Sequence, residues 1–265
     1  MSRRAAFSER FLLVDIGNTR IKWALLRGRR LGRQRALAYE GWTAGDFARR
    51  IFANTAPVAR VIVSSVAGTR VETELRAAVR SRLRCPVEFV KSVRRRAGVL
   101  TRYHEPWRLG VDRFVAAIAA HDLARGRAAC VISAGTAVTV DLIDPHGVHL
   151  GGLILPGPQL MVRSLLERTS GIQRRARGGA GRRELFARTT RAAIGQGAIY
   201  AVAAAADRAV EQARRQLHRE PMVLLTGGAA PDLRRDLRSP HTDVPDLVLR
   251  GVALYAGLSI DRPSW

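Results

Sequence analysis

Two copies of one local pattern constrain this fold more than any other feature: an apolar strand, a glycine turn and a second strand. The first copy is Asp15-Ile16-Gly17-Asn18-Thr19-Arg20-Ile21-Lys22, and the second is Ala134-Gly135-Thr136-Ala137-Val138-Thr139-Val140-Asp141. A glycine in a tight turn lets backbone N–H groups approach an anion closely. Because hydroxyls and a carboxylate accompany each glycine, the two turns together predict a phosphate clamp. A third turn, Gly227-Gly228, is either a contact for adenosine or a plain strand-to-helix turn.

The remaining sequence alternates between short β-rich runs and amphipathic segments. Strands are predicted at residues 11–15, 21–26, 35–39, 60–65, 87–90, 128–132, 138–143, 148–155 and 222–226. Helices are predicted at residues 43–53, 71–82, 110–125, 158–168, 190–217 and 245–258. This order predicts an α/β protein. The apolar runs are shorter than the roughly 18 residues that span a bilayer, and the basic N-terminus has no signal-peptide core, so we expect a cytoplasmic protein.

The 265 residues carry a net charge of +23, which raises the question of nucleic-acid binding. Lys22 and Lys91 are the only lysines among 45 basic residues, so the other 43 are arginines. They are spread along the whole chain, which disfavours a specific nucleic-acid site and favours nonspecific attraction to polyanions. Residues 171–183, rich in glycine and arginine, are expected to form a surface loop or a basic lid over an anion. Cys85 and Cys130 have no metal-binding spacing and are expected to be buried thiols.

Four charged residues near predicted element ends are candidates for chemistry. Asp15 at a strand end could hold Mg²⁺, and Lys22 could neutralise a phosphate, although an ordinary hairpin followed by an exposed lysine would look the same. Asp112 lies in the first turn of a helix, where it is either a dipole partner or the acceptor of a substrate hydroxyl proton during phosphoryl transfer. The next residue, Arg113, would then hold a substrate carboxylate or the transferring phosphate. A zinc site and a P-loop are not indicated.

The ordered set of motifs resembles the type III pantothenate kinases, of the acetate and sugar kinase, Hsp70 and actin superfamily. The matching pieces are Asp15-x-Gly17-Asn18-Thr19-x-x-Lys22, Ser64-Ser65-Val66, Tyr103 with Gly110-x-Asp112-Arg113, Gly135-Thr136-Ala137-x-Thr139-x-Asp141, Gly151-Gly152-x-Ile154-x-Pro156-Gly157 and Thr190-x-x-Ala193-Ile194-x-x-Gly197. The resemblance implies a two-lobed α/β fold of duplicated ribonuclease H-like, actin-like domains with the active site in the interlobe cleft. The lobes are expected at residues 1–108 and 109–265.

The same resemblance implies ATP-dependent phosphorylation of pantothenate at its primary hydroxyl, the first step toward coenzyme A, with Asp112 as the catalytic proton acceptor. The implied ATP-binding residues are Asp15, Ile16, Gly17, Asn18, Thr19, Arg20, Ile21, Lys22, Gly135 and Thr136. The implied pantothenate-binding residues are Tyr103, Gly110, Val111, Asp112, Arg113 and Thr190, the last across a homodimer interface. Mg²⁺, with Asp15 as a ligand or a partner through water, and a monovalent cation such as potassium or ammonium are the implied cofactors.

One position departs from the family pattern. Ser133 stands where the family often has an aspartate that helps to bind the monovalent cation, and a neutral hydroxyl is the poorer ligand. Two alternatives stay open from the sequence: a kinase of the same fold acting on another small acceptor, and a catalytically idle basic regulatory protein that binds nucleic acid.

Overall fold

The computed structural model describes residues 9–176 and 184–263. By its internal contacts the chain divides into two compact units. The first comprises Met1–Arg125, His146–His149 and Asp246–Trp265, and the second comprises Gly126–Pro145 and Leu150–Pro245. Residues 109–125 and the C-terminal helix thus belong to the first unit. The predicted boundary at residue 108 separates duplicated domains, which are not the same division as these units, and it stays a prediction.

The first unit is built on a mixed sheet. Its strands are β1 (Arg10–Ile16), β2 (Arg20–Arg27), β3 (Arg30–Leu31), β4 (Arg35–Ala38), β5 (Arg60–Ser65) and β6 (Val87–Phe89). The order is β3-β2-β1-β5-β6, and β4 also pairs with β2. β1 runs antiparallel to β2 and parallel to β5. β1 is central, which explains its nearly unbroken apolar sequence: a strand covered on both faces buries every side chain.

The helices of the first unit begin and end at recognisable signals. They are α1 (Ala44–Phe47), α2 (Thr69–Arg82), α3 (Val111–Ala124) and, at the C-terminal end, α8 (Leu247–Tyr255). The backbone N–H of Thr43 donates to the Asp46 carboxylate at 3.0 Å, as the predicted helix start requires. α1 continues as a π-helical turn, Ala48–Phe52, which buries Ile51 and Phe52. The residues of α3 are almost all buried, which matches its apolar composition on every side.

A small ladder precedes α3 in the first unit. β7 (Arg95–Arg96) and β8 (Val99–Thr101) form an antiparallel pair, and β8 runs parallel to Val148 and His149, the first residues of β11 (Val148–Pro156). A 3₁₀ turn at Pro106–Arg108 then leads toward α3. The segment that carries Tyr103 is therefore held at both ends by secondary structure.

The second unit packs a sheet against a long helix. Its other strands are β9 (Ala129–Ala134), β10 (Ala137–Ile143), β12 (Met222–Thr226) and β13 (Thr242–Asp243), in the order β13-β12-β9-β10-β11. Its helices are α4 (Pro158–Arg168), α5 (Ser170–Arg175), α6 (Thr190–Leu217) and α7 (Ala230–Leu233). Small and β-branched residues of α6, such as Val202, Ala206 and Val210, pack with β-strand residues in one core. The side chain of Thr189 caps α6 by accepting from the N–H of Ala192 at 3.3 Å.

The structure confirms the predicted α/β class and most predicted elements, but it adds the short elements β3, β13 and α7 and differs from the prediction in three further regions. The helix predicted at 43–53 is a single α-turn followed by a π-helical turn, in which Ile51 and Phe52 are both buried. The β7–β8 ladder was not predicted, since strands of two and three residues carry no periodicity. The loop predicted at 171–183 begins as helix α5, which ends at Arg175, and residues 177–183 of that loop lie outside the described residues.

No helix in the described ranges combines the length and the apolar character that crossing a bilayer requires. Of the two cysteines, Cys130 is buried and Cys85 half-buried. Burial, reinforced by the charge of Asp141, raises the pKa of Cys130 to about 12. Burial also raises the pKa of Cys85. Both thiols therefore stay protonated at neutral pH, and the expected full burial is found at Cys130 but only in part at Cys85.

Candidate active site

Asp15 lies near the end of β1 in the first unit, with its side chain 5% exposed. In the strand registers it is directly paired with Lys22 on β2 and with Ser64 on β5. Side chains at directly paired positions project on the same face of a sheet. The sheet therefore gives this carboxylate a cation on one side and a hydroxyl on the other.

The environment of Asp15 disfavours its charged form. Burial raises its pKa, the charge of Lys22 lowers it, the charge of Asp112 raises it and the Ser64 hydroxyl lowers it, and the result is a pKa of about 6. The influence of Asp112 places the two carboxylates within electrostatic reach of each other. Asp15 Oδ1 is buried without a hydrogen bond of good geometry among the described residues, and the same holds for Ser64 Oγ. A cation bound at this carboxylate would offset the cost of burying its charge and would reduce the repulsion from Asp112.

Two hydrogen bonds hold the first glycine turn in place, one within its own backbone and one from the side chain of a distant tyrosine. The N–H of Gly17 donates to the carbonyl of Arg20 at 3.0 Å, which closes the turn between β1 and β2. The hydroxyl of Tyr39, a residue 6% exposed just after β4, donates to the carbonyl of Gly17. Asn18, Thr19 and Arg20 are exposed, so this turn presents its polar groups to solvent. Sequence analysis did not identify Tyr39.

Asp112 occupies the first turn of α3, where the helix dipole favours a negative charge. Its Oδ1 accepts a hydrogen bond from the backbone N–H of Arg113 at 2.9 Å. A Cβ on Gly110 would stand 2.7 Å from this oxygen, a distance that real Cβ atoms do not show. Glycine at position 110 therefore leaves the space in which the carboxylate is held, which explains physically why the two residues occur together in the motif.

Arg113 and Tyr103 form a coupled pair beside Asp112. Arg113 is 7% exposed, and its Nη1 donates to the Tyr103 hydroxyl at 2.9 Å. The ring of Tyr103 lies 5.9 Å, centroid to centroid, from that of the buried His149. Thr101 Oγ1 accepts from the backbone N–H of Tyr103 at 3.2 Å and lies 3.4 Å from His149 Nδ1. The predicted substrate residues of the first unit are thus brought together, and His149 joins them without having been predicted.

Arg94 holds the segment that carries Tyr103. Its Nη1 donates to the carbonyls of Thr101 and Tyr103, at 2.9 and 2.6 Å, and its Nη2 to that of His104 at 2.8 Å. A planar guanidinium that donates to three carbonyls of one short segment fixes that backbone more firmly than a single hydrogen bond could. Sequence reasoning missed Arg94 because one arginine among 43 carries no signal of its own.

In the second unit, two other glycines pack directly against the second glycine turn. The N–H of Gly135 donates to the carbonyl of Ala137 at 3.0 Å, and that of Gly157 donates to the carbonyl of Thr136 at 2.8 Å. A Cβ on Gly157 would meet the carbonyl oxygen of Gly135 at 2.4 Å. Gly227 has a φ of +101°, and a Cβ there would meet the Ala134 carbonyl oxygen at 2.1 Å. The position of this turn is therefore set by backbone contacts.

Ser133 stands in a row of hydroxyls. It is directly paired with Thr139 on β10 and with Thr226 on β12. The Oγ1 of Thr139 is buried and makes no hydrogen bond within the described part of the chain. The position thus offers neutral oxygens, and neither direct strand partner is a carboxylate.

Thr190, the remaining predicted substrate residue, is the half-buried first residue of α6 in the second unit. Its contact with substrate stays a prediction. Val111, predicted with the substrate residues, begins α3 and is buried, and its contact with substrate likewise stays a prediction.

The residues of the first unit fit a magnesium ion that arrives with a nucleotide. Mg²⁺ typically takes one or two protein carboxylates and completes its shell with phosphate oxygens and water. Two carboxylates are available here. Asp15 has a buried Oδ1 with no hydrogen-bond partner among the described residues, and Asp112 is near enough for its charge to raise the pKa of Asp15. Within the described ranges, no group of three or more His, Cys, Asp or Glu residues forms a metal site of the all-protein type.

The fold is thus of the α/β class, with two compact units that each contain a strand–glycine-turn–strand element. One solved structure that is similar to this chain is that of a Campylobacter jejuni protein assigned to the Baf family of transcriptional activators. It has a TM-score of 0.55 and 17% identity, and the match covers 91% of this chain and 96% of that one. At such identity the likeness shows the fold alone.

The sequence comparisons are more specific. The model of the type III pantothenate kinase family matches residues 11–212. A type III pantothenate kinase from Nitrosococcus oceani is 35% identical over 249 residues, covering 92% of this chain and 93% of that protein. Another, from Aromatoleum aromaticum, is 39% identical over 249 residues, covering 92% and 97% respectively. The chain therefore belongs to the type III pantothenate kinase family, which confirms the resemblance found in the motifs.

Proposed function

We propose that this protein transfers the γ-phosphoryl group of ATP to the primary hydroxyl of pantothenate, giving 4'-phosphopantothenate in the first step of coenzyme A biosynthesis. Family membership supports the reaction. The observation that carries it within this chain is the grouping of Asp15, Lys22 and Asp112, in which a buried carboxylate is flanked by a cation and repelled by a second carboxylate.

Asp112 is the proposed proton acceptor. As the pantothenate oxygen forms its bond to phosphorus, its O–H bond breaks and the proton passes to the carboxylate, while the bond from phosphorus to the ADP oxygen breaks. The hydrogen bond from the Arg113 N–H orients the carboxylate, and Gly110 leaves room for it. Catalysis of this kind depends mainly on positioning and on electrostatics.

Tyr103 and Arg113 are the proposed pantothenate-binding pair, with Gly110 and Val111 supplying the backbone beside them. Pantothenate carries one carboxylate, and a guanidinium is suited to bind it. The carbonyl contacts of Arg94 and the ring of His149 hold the tyrosine in place before substrate arrives. Thr190 would complete the pantothenate site in a homodimer, as the family resemblance implies.

ATP would be bound by the first glycine turn, from Asp15 to Lys22, and by Gly135 and Thr136 of the second. Asp15 would hold the Mg²⁺ that accompanies the nucleotide, with Asp112 near enough to share it. That ion supplies charge neutralisation for the phosphates. Ser133 and its hydroxyl neighbours predict a weak requirement for potassium or ammonium, and we expect the enzyme to work in the cytoplasm.

The direct test measures ADP formation by the purified protein with ATP, Mg²⁺ and pantothenate, with and without potassium. Asp112→Asn should lower turnover by roughly 10²–10⁴-fold, the usual effect of losing a general base. Asp122→Asn is the matched control, because Asp122 lies on the same helix and its carboxylate faces Arg262 at 3.4 Å. Unchanged turnover in Asp112→Asn would remove that residue from the role.

A second test separates nucleotide binding from chemistry. Lys22→Ala should raise the KM for ATP with a smaller effect on the KM for pantothenate, because a phosphate loses its point charge. Lys91→Ala is the control, since Lys91 is the only other lysine and is exposed. ATP kinetics identical to those of the parent would contradict the assignment of Lys22.

The same purified protein can be used to test the two alternatives, a kinase for another acceptor and a regulatory protein. A screen of sugar, acetate and other small acceptors would reveal a kinase of this fold with another substrate. Absence of turnover with every acceptor, together with sequence-selective DNA binding at physiological salt, would instead support a regulatory protein. The structural likeness to the Campylobacter jejuni protein carries no weight here, because at 17% identity it concerns the fold.

A further inference from the structure

A groove in the first unit lies on the face of the sheet opposite to Asp15 and Lys22. Trp23 lines it and is directly paired with Val14, one residue away from the Asp15–Lys22 pair. Successive side chains of a strand project on opposite faces, so the side chains of Lys22 and Trp23 point to different sides. The groove has a volume of about 790 Å³, within the range typical of small-molecule sites.

The floor of the groove is apolar. It is formed by side chains such as Leu12, Trp23, Leu25 and Ile51, of which Leu12, Trp23 and Ile51 also belong to the hydrophobic core. Leu37 on β4 borders the groove and is 37% exposed. Leu12, Trp23 and Ile51 are almost fully buried, so the apolar surface that a ligand would cover belongs mainly to Leu25 and Leu37.

The rim of the groove is positively charged. Arg27, Arg33, Arg35 and Arg50 line it, and the lining contains no acidic residue. Arg50 lies 4.0 Å from Asp46 and stacks on Trp42. The side chains of the other three arginines make no ion pair among the described residues, whereas arginines elsewhere, such as those facing Glu88 and Glu211, are paired. Like charges around one cavity repel each other, and a bound anion would remove that repulsion.

We propose that this groove is a second binding site, separate from the ATP and pantothenate sites, for a small organic anion: a phosphate ester that carries an aromatic or other apolar group. The arginines would bind the phosphate, and the apolar floor would bind the attached group. Charge complementarity and the volume of the cavity carry the proposal, which does not depend on the reaction proposed above.

The test uses 1-naphthyl phosphate as the probe and isothermal titration calorimetry of the full chain without ATP or pantothenate. Replacing Arg33 and Arg35 by glutamate should weaken binding by at least about tenfold, because the rim loses two cations and gains two carboxylates. The matched control, Arg70→Glu with Arg80→Glu on α2, makes the same change in net charge on exposed residues and should change the dissociation constant less than about twofold. Melting curves establish that both variants are folded.

Two further measurements locate the probe. Inorganic phosphate should bind more weakly than 1-naphthyl phosphate, since it does not cover the apolar floor. Lys22→Ala should bind the probe as the parent does. Equal weakening in the two double variants would overturn the proposal in favour of general attraction to a basic protein. Loss of binding in Lys22→Ala alone would overturn it by placing the probe at the phosphate turn.

Discussion

Asp15 makes the stability of this protein fall as the pH rises, and Asp15→Asn should abolish that part of the dependence. Burial and the charge of Asp112 outweigh the charge of Lys22 and raise the pKa of Asp15 from 3.8 to about 6. A group with a raised folded pKa binds its proton more tightly in the folded state. Its contribution to stability is therefore complete below the unfolded pKa, falls as the pH rises and is gone above the folded pKa.

The magnitude follows from the shift, since one pKa unit corresponds to about 1.4 kcal/mol. A carboxyl group whose pKa rises from 3.8 to about 6 accounts for a loss of some 2 to 3 kcal/mol in the free energy of unfolding between pH 4 and pH 8. Asparagine does not titrate, so the stability of Asp15→Asn relative to the parent should rise by that amount over the same interval. Urea denaturation at five pH values between 4 and 8 measures the difference directly.

Asp46→Asn provides a control with the opposite sign. Hydrogen bonds from the backbone and side chain of Thr43, and the nearby Arg49, lower the pKa of Asp46. Its contribution is present above the unfolded pKa of 3.8 and is lost only in stronger acid, so the stability of this variant relative to the parent should stay nearly constant between pH 4 and pH 8 and rise below that interval. A stability difference between parent and Asp15→Asn that stays constant from pH 4 to pH 8 would refute the reasoning about Asp15.

The other predictions concern residues that hold the site. Arg94→Lys, which keeps the charge but not the three carbonyl contacts, should raise the KM for pantothenate severalfold with little change in the KM for ATP; equal KM values for pantothenate would show that Tyr103 is held without it. Tyr39→Phe should raise the KM for ATP, because the carbonyl of Gly17 loses its donor, and an unchanged value would exclude a bracing role. Gly227→Ala should destabilise the protein by more than about 3 kcal/mol or prevent folding, as thermal denaturation would show; a normal melting temperature would contradict the close packing.

Elements with strong periodicity could be predicted from the sequence. The long helix α6 was predicted with the bounds Thr190–Leu217 that the structure has, because the segment is long and rich in alanine, the strongest helix former. The glycine turns could be predicted because turn residues act locally. The β7–β8 ladder could not, since its stability depends on pairing with Val148 and His149, about fifty residues further along the chain.

The candidate site likewise has features that could be predicted from the sequence and features that could not. Asp15 and Lys22 belong to one hairpin, so their pairing across β1 and β2 follows from the position of the turn. The raised pKa of Asp15 could not be predicted, because it depends on burial and on the charge of Asp112, nearly a hundred residues away. Arg94 and Tyr39 donate hydrogen bonds to backbone carbonyls. Every residue has a carbonyl, so the sequence does not indicate which one a side chain will contact.

The protonated thiols of Cys85 and Cys130 make the chain suitable for site-specific labelling. Maleimides react with thiolates, and a thiol whose pKa is about 12, such as that of Cys130, presents almost none at neutral pH. Cys85 is shifted in the same direction by burial. A cysteine introduced at the exposed Glu40, next to Tyr39, would therefore take up a fluorophore selectively, with both native cysteines left in place. Such a fluorophore would report the arrival of a nucleotide at the first turn in real time.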